Sequence, residues 1–229
     1  MPQLTLYAGP LSLFSRKVEI ALREKNLEFE QVLVPFTQEK GYAPRHPAVI
    51  AANPKRQVPV LVDRTHDDEL TLFDSTVILE YLEDRYPEPA LYPKESAAKA
   101  RCRLVELEAD EILFAPVRHL LYRTEPPLAD AERQAARAAE GKRAEAELQV
   151  RFTDLDQRLT DRLYFCGDFS AADIGMFMTV LFTQRLKGPA VSHHTHLARW
   201  YDRMLDRPSC AQAAAEIAEA DRRLSPSLG

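Results

Sequence analysis

Gln57-Val58-Pro59-Val60-Leu61-Val62, followed by Phe73-Asp74-Ser75-Thr76 at the head of an apolar-periodic run, is the part of the chain on which its reading turns. A proline opening an apolar strand has no N–H to give a sheet ladder, so it belongs at a strand start, an edge or a cis turn. In a cis turn the preceding residue's backbone groups face away from the sheet, free to pair with an extended ligand. An Asp-Ser pair at a helix start offers a carboxylate, a hydroxyl and free backbone amides. Together the two segments describe a surface for a short peptide with a free α-amino acid end.

Working outward, the residues before this strand read as mixed α/β. Gln3–Tyr7 alternates like a strand and Gly9-Pro10 ends it. Ser15–Lys25 carries Val18, Ala21 and Leu22 on one helical face, with Arg16, Lys17, Arg23 and Glu24 elsewhere. Phe29–Val34 is a second β-rich run, and the weakly patterned stretch Pro35–Pro54 leads to Val58–Val62. A polar turn at Asp67-Asp68 and the run Glu69–Phe73 complete a hairpin. Val77, Ile78, Tyr81 and Leu82 mark a helix that ends before Pro87. This β-α-β-(α)-β-β-α order packs helices on both sides of a small mixed sheet.

The Pro-rich segment Tyr86–Pro93 is the best domain boundary, and beyond it the strand signal disappears. Helices are expected over Ala97–Arg123, Leu128–Thr160, Ser170–Leu186, His194–Asp206 and Ser209–Leu224, packed on their apolar faces. The predicted division is residues 1–86, a linker at 87–96, and an all-helical unit at 97–229. Ser170-Ala171-Ala172-Asp173 reads as a capping box, with Phe169 and Ile174 placed for a hydrophobic staple. It is read as a folding element without chemistry.

Composition bounds the partners. The chain has 229 residues, 45% hydrophobic and 28% charged, with a net charge of -5, which argues against a nucleic-acid backbone as partner. The opening Met1-Pro2-Gln3-Leu4 lacks the pattern of a secretory leader, and no apolar run is long enough to span a bilayer. A cytoplasmic protein with no membrane contact is expected. Cys102, Cys166 and Cys210 are widely spaced and read as small buried residues in a reducing compartment. His193-His194-Thr195-His196 lacks neighbouring ligands and reads as a polar loop entering a helix, so no metal is expected.

The chain resembles the cytosolic glutathione transferases over nearly its full length. The resemblance rests on Ser12–Leu22, Asn53-Pro54-Lys55-Arg56-Gln57-Val58-Pro59, Asp74-Ser75, the Ser170/Asp173 box, and the segment from Leu197-Ala198-Arg199-Trp200 to Arg207-Pro208. It implies a thioredoxin-like N-terminal domain, an all-α C-terminal domain, a homodimer, and glutathione as co-substrate. It also implies transfer of glutathione to a small apolar electrophile, as in detoxification. The serine classes of the family place a serine just after the first strand, and Ser12 matches that position, with Ser15 and Tyr7 as rivals. Such a hydroxyl stabilises a thiolate, since a free thiol ionises only near pH 8.5. Val58 and Pro59 are implied to pair with the cysteinyl backbone, with Gln57 adding a polar contact. Asp74 and Ser75 are implied to hold the γ-glutamyl end, and Arg45, His46 and Lys55 are candidates for the glycyl carboxylate. The electrophile pocket is expected between the domains, from Leu13, Phe14, Pro35-Phe36, Phe114, His119 and Tyr122.

Departures narrow the chemistry. Arg56 stands where many members have glycine, and Ser12-Leu13-Phe14 differs from the Ser-Ser-Cys of the zeta class, against maleylacetoacetate isomerase activity. The thiol-transferase classes have cysteine at the position of Ser12, so a mixed disulfide there is excluded. A glutathione-dependent isomerase or dehalogenase and a non-catalytic protein-interaction module are the alternatives. Retained Pro59, Asp74 and Ser75 argue against the module.

Overall fold

Alternation in Leu4–Ala8 (β1) divides its side chains between two faces of a sheet. The computed structural model describes residues 3–42, 45–65 and 68–225. Leu4, Leu6 and Ala8 lie under α1 (Leu13–Glu24) and α3 (Ser75–Arg85), in one core with Val18, Leu61 and Ile78. Tyr7 faces the other way, into a smaller cluster of Val34, Val49 and Val60 that α2 (Pro47–Ala52) covers. With β2 (Glu30–Leu33), β3 (Val60–Asp63) and β4 (Leu70–Phe73), the sheet runs β2-β1-β3-β4. β1 is parallel to β2 and antiparallel to β3, with Leu6 opposite Leu61, and β3 is antiparallel to β4. This is the mixed, helix-flanked sheet that the pattern predicts. Residues 1–2, Asp67 of the expected hairpin turn, and 226–229 at the end of the helical unit lie outside the described residues.

Two differences in the first unit have local causes. α1 begins at Leu13, before the predicted Ser15, because Ser12 adopts an extended conformation and caps it, accepting the Ser15 amide at 3.2 Å. The polar face of α1 does not meet water: Arg16, Lys17 and Glu19 are buried. α1 is packed on its second side by α7 (Ala171–Arg185) and α9 (Pro208–Leu224), so that face is an interdomain seam closed by ion pairs. Arg16 pairs with Glu19 at 2.6 Å and with Glu216, while Arg207 reaches Glu24 at 2.5 Å. Gly9 is required by close approach, since a Cβ there would stand 2.1 Å from the Tyr42 hydroxyl.

The second unit is helical throughout. Its further helices are α4 (Ser96–Leu107), α5 (Phe114–Arg118), α6 (Ala131–Arg158) and α8 (Thr195–Leu205). The expected single helix Ala97–Arg123 is divided: α4 continues through a π-helical turn, Glu108–Leu113, into α5, and a 3₁₀ turn follows at Leu121–Arg123. Pro116 has no N–H for the carbonyl four residues back, which interrupts the ladder at this point. α7 is buried on nearly every side and contacts both α1 and α4, so the domain forms around it.

Asp173 anchors the start of α7. Its carboxylate accepts the Ser170 amide and hydroxyl at 3.1 and 3.0 Å, the Phe165 amide at 3.1 Å, and the indole N–H of fully buried Trp200 at 3.0 Å. The Pro-rich connector is held equally firmly. Lys25 donates to the Tyr86 and Pro89 carbonyls at 2.7 and 2.9 Å, Ala171 N–H to the Leu91 carbonyl at 2.8 Å, and Leu91 and Tyr92 are buried.

Candidate functional site

The quoted segments meet in one cleft. Its volume is about 440 Å³, and Gln57, Val58, Pro59, Asp74 and Ser75 all line it. The Val58-Pro59 bond is cis. Pro59 precedes the ladder, whose first β3 pair is Val60 with Tyr7, so its missing N–H leaves no sheet bond unmade. The loop before it is stapled by buried Asn53, whose side chain donates to the Gln57 carbonyl at 2.7 Å and accepts the Lys55 amide at 2.9 Å. Arg56 has φ 54°, a left-handed conformation that suits glycine, which is the residue expected there from the resemblance.

Asp74 also has a left-handed backbone, φ 76°, as the N-cap of α3, and its carboxylate accepts the Thr76 amide at 3.1 Å. Such a backbone costs on the order of 1 kcal/mol and concentrates at functional sites. It turns the chain so that Ser75, buried, opens the helix at the cleft. The leading amides of α3 have no helical acceptor and favour an anion.

Behind Asp74 lies a group of charges that the sequence reading missed. The Lys17 ammonium, fully enclosed, reaches Asp110 at 2.5 Å and Glu106 at 3.2 Å. Thr76 donates to Glu106 at 3.2 Å and Tyr92 donates to Glu106 at 2.8 Å. Burial alone would lower the Lys17 pKa, but the Asp110 and Glu106 carboxylates outweigh it and raise it. Burial pushes the Asp110 carboxyl up, Lys17 opposes this, and the Glu106 and Asp74 charges add to the rise. Asp110 lines the cleft, and its second oxygen, Oδ1, is enclosed without a hydrogen-bond partner. Two carboxylates thus share one ammonium, leaving a negative excess beside the α3 N-terminus. Asp110 sits in the π-helical turn, and no local sequence pattern announces that distortion. Only the i, i+4 spacing of Glu106 and Asp110 hinted at one acidic face.

The three candidate activators stand apart in environment. Ser12 is half-buried at the α1 cap, whereas Ser15 is fully buried, with its hydroxyl accepting the Gly9 amide at 3.2 Å. Tyr7 packs its ring on His46, centroids 5.2 Å apart. Phe14, rather than Ser12, contributes the α1 side of the cleft lining. Of the glycyl-carboxylate candidates, Lys55 lines the cleft and lies 3.8 Å from Asp74. Arg45 donates to the Arg56 carbonyl at 2.6 Å, and His46 caps α2.

Of the expected electrophile-pocket residues, Phe14 and Phe114 are brought together edge to face, centroids 5.3 Å apart. Leu13 is buried, Phe36 packs on Tyr42, and Tyr122 packs against Gly141. His119 opens on a separate groove beside Glu140 and Arg143. His194 caps α8 and contacts Gln149 at 2.9 Å, and the α8 amides of His196 and Leu197 bind Asp156. No helix among the described residues is long and apolar enough to cross a membrane.

Residues 6–90 match the family described as Glutathione S-transferase, N-terminal domain, and residues 112–208 match Glutathione S-transferase, C-terminal domain. Glutathione S-transferase 3 of Zea mays is 31% identical over 226 residues, covering 95% of this chain and 96% of its own. A stringent starvation protein A homolog of Coxiella burnetii is 31% identical over 176 residues, 76% of this chain and 72% of its own. Among solved structures, a glutathione S-transferase of Methylobacterium radiotolerans in complex with glutathione sulfonate superposes with TM-score 0.68 at 28% identity, covering 92% of this chain and 94% of its own.

Proposed function

This chain belongs to the cytosolic glutathione transferase superfamily, and from that premise we propose that it is a serine-type, cytoplasmic transferase that ionises glutathione for attack on a small apolar electrophile. The observation that carries the reading is the shared cleft of Val58-Pro59, Asp74-Ser75 and Asp110. The backbone of Val58 pairs with the cysteinyl residue of glutathione, and Gln57 adds a polar contact. Ser75 and the free amides of α3 take the γ-glutamyl carboxylate. Its ammonium lies between Asp74 and Asp110, where the negative excess beside Lys17 has room for one more cation. Lys55, which lines the cleft, is assigned the glycyl carboxylate, and would leave its 3.8 Å contact with Asp74 to reach it.

Ser12 is the proposed activator. Its oxygen is engaged as the acceptor of the Ser15 amide, which orients the hydroxyl while leaving its own proton to donate to sulfur. The Ser15 oxygen accepts from Gly9 inside the core, and Tyr7 is turned to the α2 side of the sheet. The thiolate is stabilised by the Ser12 donor and by the adjacent α1 N-terminus, each pH unit of depression requiring about 1.4 kcal/mol. The electrophile lies against Phe14 and Phe114. A second copy packs on the exposed apolar residues Val77 of α3 and Leu104 and Leu107 of α4, giving a homodimer.

The test is the ultraviolet absorbance of bound glutathione thiolate titrated with pH, in wild type and Ser12→Ala. The expected result is ionisation about one to two pH units below the free thiol in wild type, reverting in the variant. Absence of glutathione binding by calorimetry would sink the enzyme reading and leave an interaction module. Glutathione returned unconsumed with a converted substrate would identify an isomerase or dehalogenase.

A further inference from the structure

The turn between β2 and α2 is tied to the helical domain at its tip and to the Ser12 loop at its base. It is closed on itself: the Thr37 amide donates to the Gly41 carbonyl at 3.0 Å, the Lys40 amide donates to the Thr37 hydroxyl at 3.1 Å, and Gly41 has φ 59°. At the tip, half-buried Gln38 is held from both ends of its side-chain amide. Its Nε2 donates to the Ser225 hydroxyl at 2.6 Å, and its Oε1 accepts the Thr124 hydroxyl at 3.1 Å. Both partners are buried and belong to the helical domain, Thr124 after the 3₁₀ turn and Ser225 at the end of α9. Ser225 is fixed in turn, because its amide donates to the Asp221 carbonyl at 2.8 Å and Arg185 holds the Asp221 carboxylate with two bonds of 2.6 Å. At the base, Phe36 and Tyr42 pack ring on ring, centroids 4.7 Å apart, and the Tyr42 hydroxyl presses on Gly9.

Gly9 is where this strap meets the chemistry. Its carbonyl accepts the Ser12 amide at 3.2 Å, its amide donates to the Ser15 hydroxyl at 3.2 Å, and the Ser15 amide donates to the Ser12 hydroxyl oxygen at 3.2 Å. α9 reaches the same loop by a second path, since Arg16 donates to the Pro10 carbonyl at 3.3 Å and pairs with Glu216. No residue of α9 lines the glutathione cleft, and neither do Gln38 and Tyr42. We propose that the strap carries the position of α9 and Thr124 to the Ser12 loop, with Gln38 as a positioning residue for thiol ionisation by Ser12. The proposal rests on the reading of Ser12 as activator. A hydroxyl stabilises a thiolate along a short, directed hydrogen bond, so a small drift of the loop from Gly9 to Ser12 weakens the donor. Gly9 has no side chain to wedge that loop in place, and the Tyr42 ring supplies the wedge from outside. Freeing Gln38 releases the strap, the loop loses its stop, and the ionisation of bound glutathione moves toward that of the free thiol. The helical domain thereby acts on an ionisation that takes place in the other domain.

The experiment titrates the thiolate absorbance of bound glutathione in wild type, Gln38→Ala and Thr124→Val, and follows conjugation of chlorodinitrobenzene at saturating glutathione over the same pH range. Gln38→Ala removes both bonds at a half-buried site, and Thr124→Val keeps the shape of a buried residue while removing one. In Gln38→Ala the ionisation is expected to rise by about half a pH unit, so the rate falls roughly threefold on the acid side and recovers where both proteins hold thiolate. KM for glutathione is expected to change less than about twofold, because the groups that hold its backbone and γ-glutamyl end are untouched. Thr124→Val is expected to show the same pH-dependent loss, smaller in size, and it decides alone if Gln38→Ala does not fold. Wild-type ionisation below that of the free thiol, with no shift in either variant, would overturn the strap alone. So would a rate loss equal at every pH, or a rise in KM without a shift, each the mark of a merely structural contact. Wild-type ionisation at the free-thiol value would remove the Ser12 reading and the strap with it.

Discussion

Asp173 and Asp110 are both enclosed acidic residues on helical turns of the second domain, and burial pushes both carboxyls upward. Their partners differ. Asp173 receives four neutral donors, from Phe165, Ser170 twice, and Trp200, all within the helical domain. Asp110 is paired across the domain seam to Lys17, shares that ammonium with Glu106, and keeps one oxygen unpartnered at the cleft. A saturated carboxylate has nothing left to offer a ligand and serves the fold. An unsaturated one costs stability that a ligand cation can recover.

The largest expected effect tests the saturated side. Asp173→Ala strands the Trp200 indole and two backbone amides in the core, and is expected to cost about 4 kcal/mol in denaturant unfolding. A loss under about 1 kcal/mol would mean that the box is decoration.

Next comes the pH dependence of the same group. The Asp173 carboxyl titrates at about 6 in the fold and near 3.9 in an unfolded chain, so the folded state binds more protons between those values. Its contribution to stability is full below about pH 4 and lost as pH rises through about 6, by about 3 kcal/mol in all. Asp173→Asn removes this titration. The difference in unfolding free energy between wild type and variant, followed from about pH 4 to 7, should therefore slope. A flat difference would show that the four donors cancel the desolvation.

Asp110→Asn probes the unsaturated side. The Lys17–Glu106 pair survives, so stability is expected to shift by less than about 1 kcal/mol, while glutathione affinity by calorimetry falls about tenfold, or about 1.4 kcal/mol. Equal losses of stability and binding would erase the contrast with Asp173. The smallest effect belongs to Arg56→Gly, which relieves the left-handed backbone but adds freedom to the unfolded chain. Stability is expected to rise by less than about 1 kcal/mol, read from urea midpoints.

Local chemistry made much of this protein legible from its residues. The alternation in the first strand, the apolar run that Pro59 opens, the capping box at Ser170, and the Pro-rich connector each act over a few residues, so pattern and turn chemistry suffice to read them. So do the Val58-Pro59 and Asp74-Ser75 segments, because proline and capping residues carry their backbone geometry with them. Long-range burial decided the rest. Lys17 reads as a solvated helix residue until α7 and the π-helical turn close over it, and Asp110 is an ordinary acidic position until that turn aims it at the cleft. A sequence states which groups carry charge or a thiol, but whether water or protein surrounds them, and so whether they are inert or reactive, depends on elements far away in the chain.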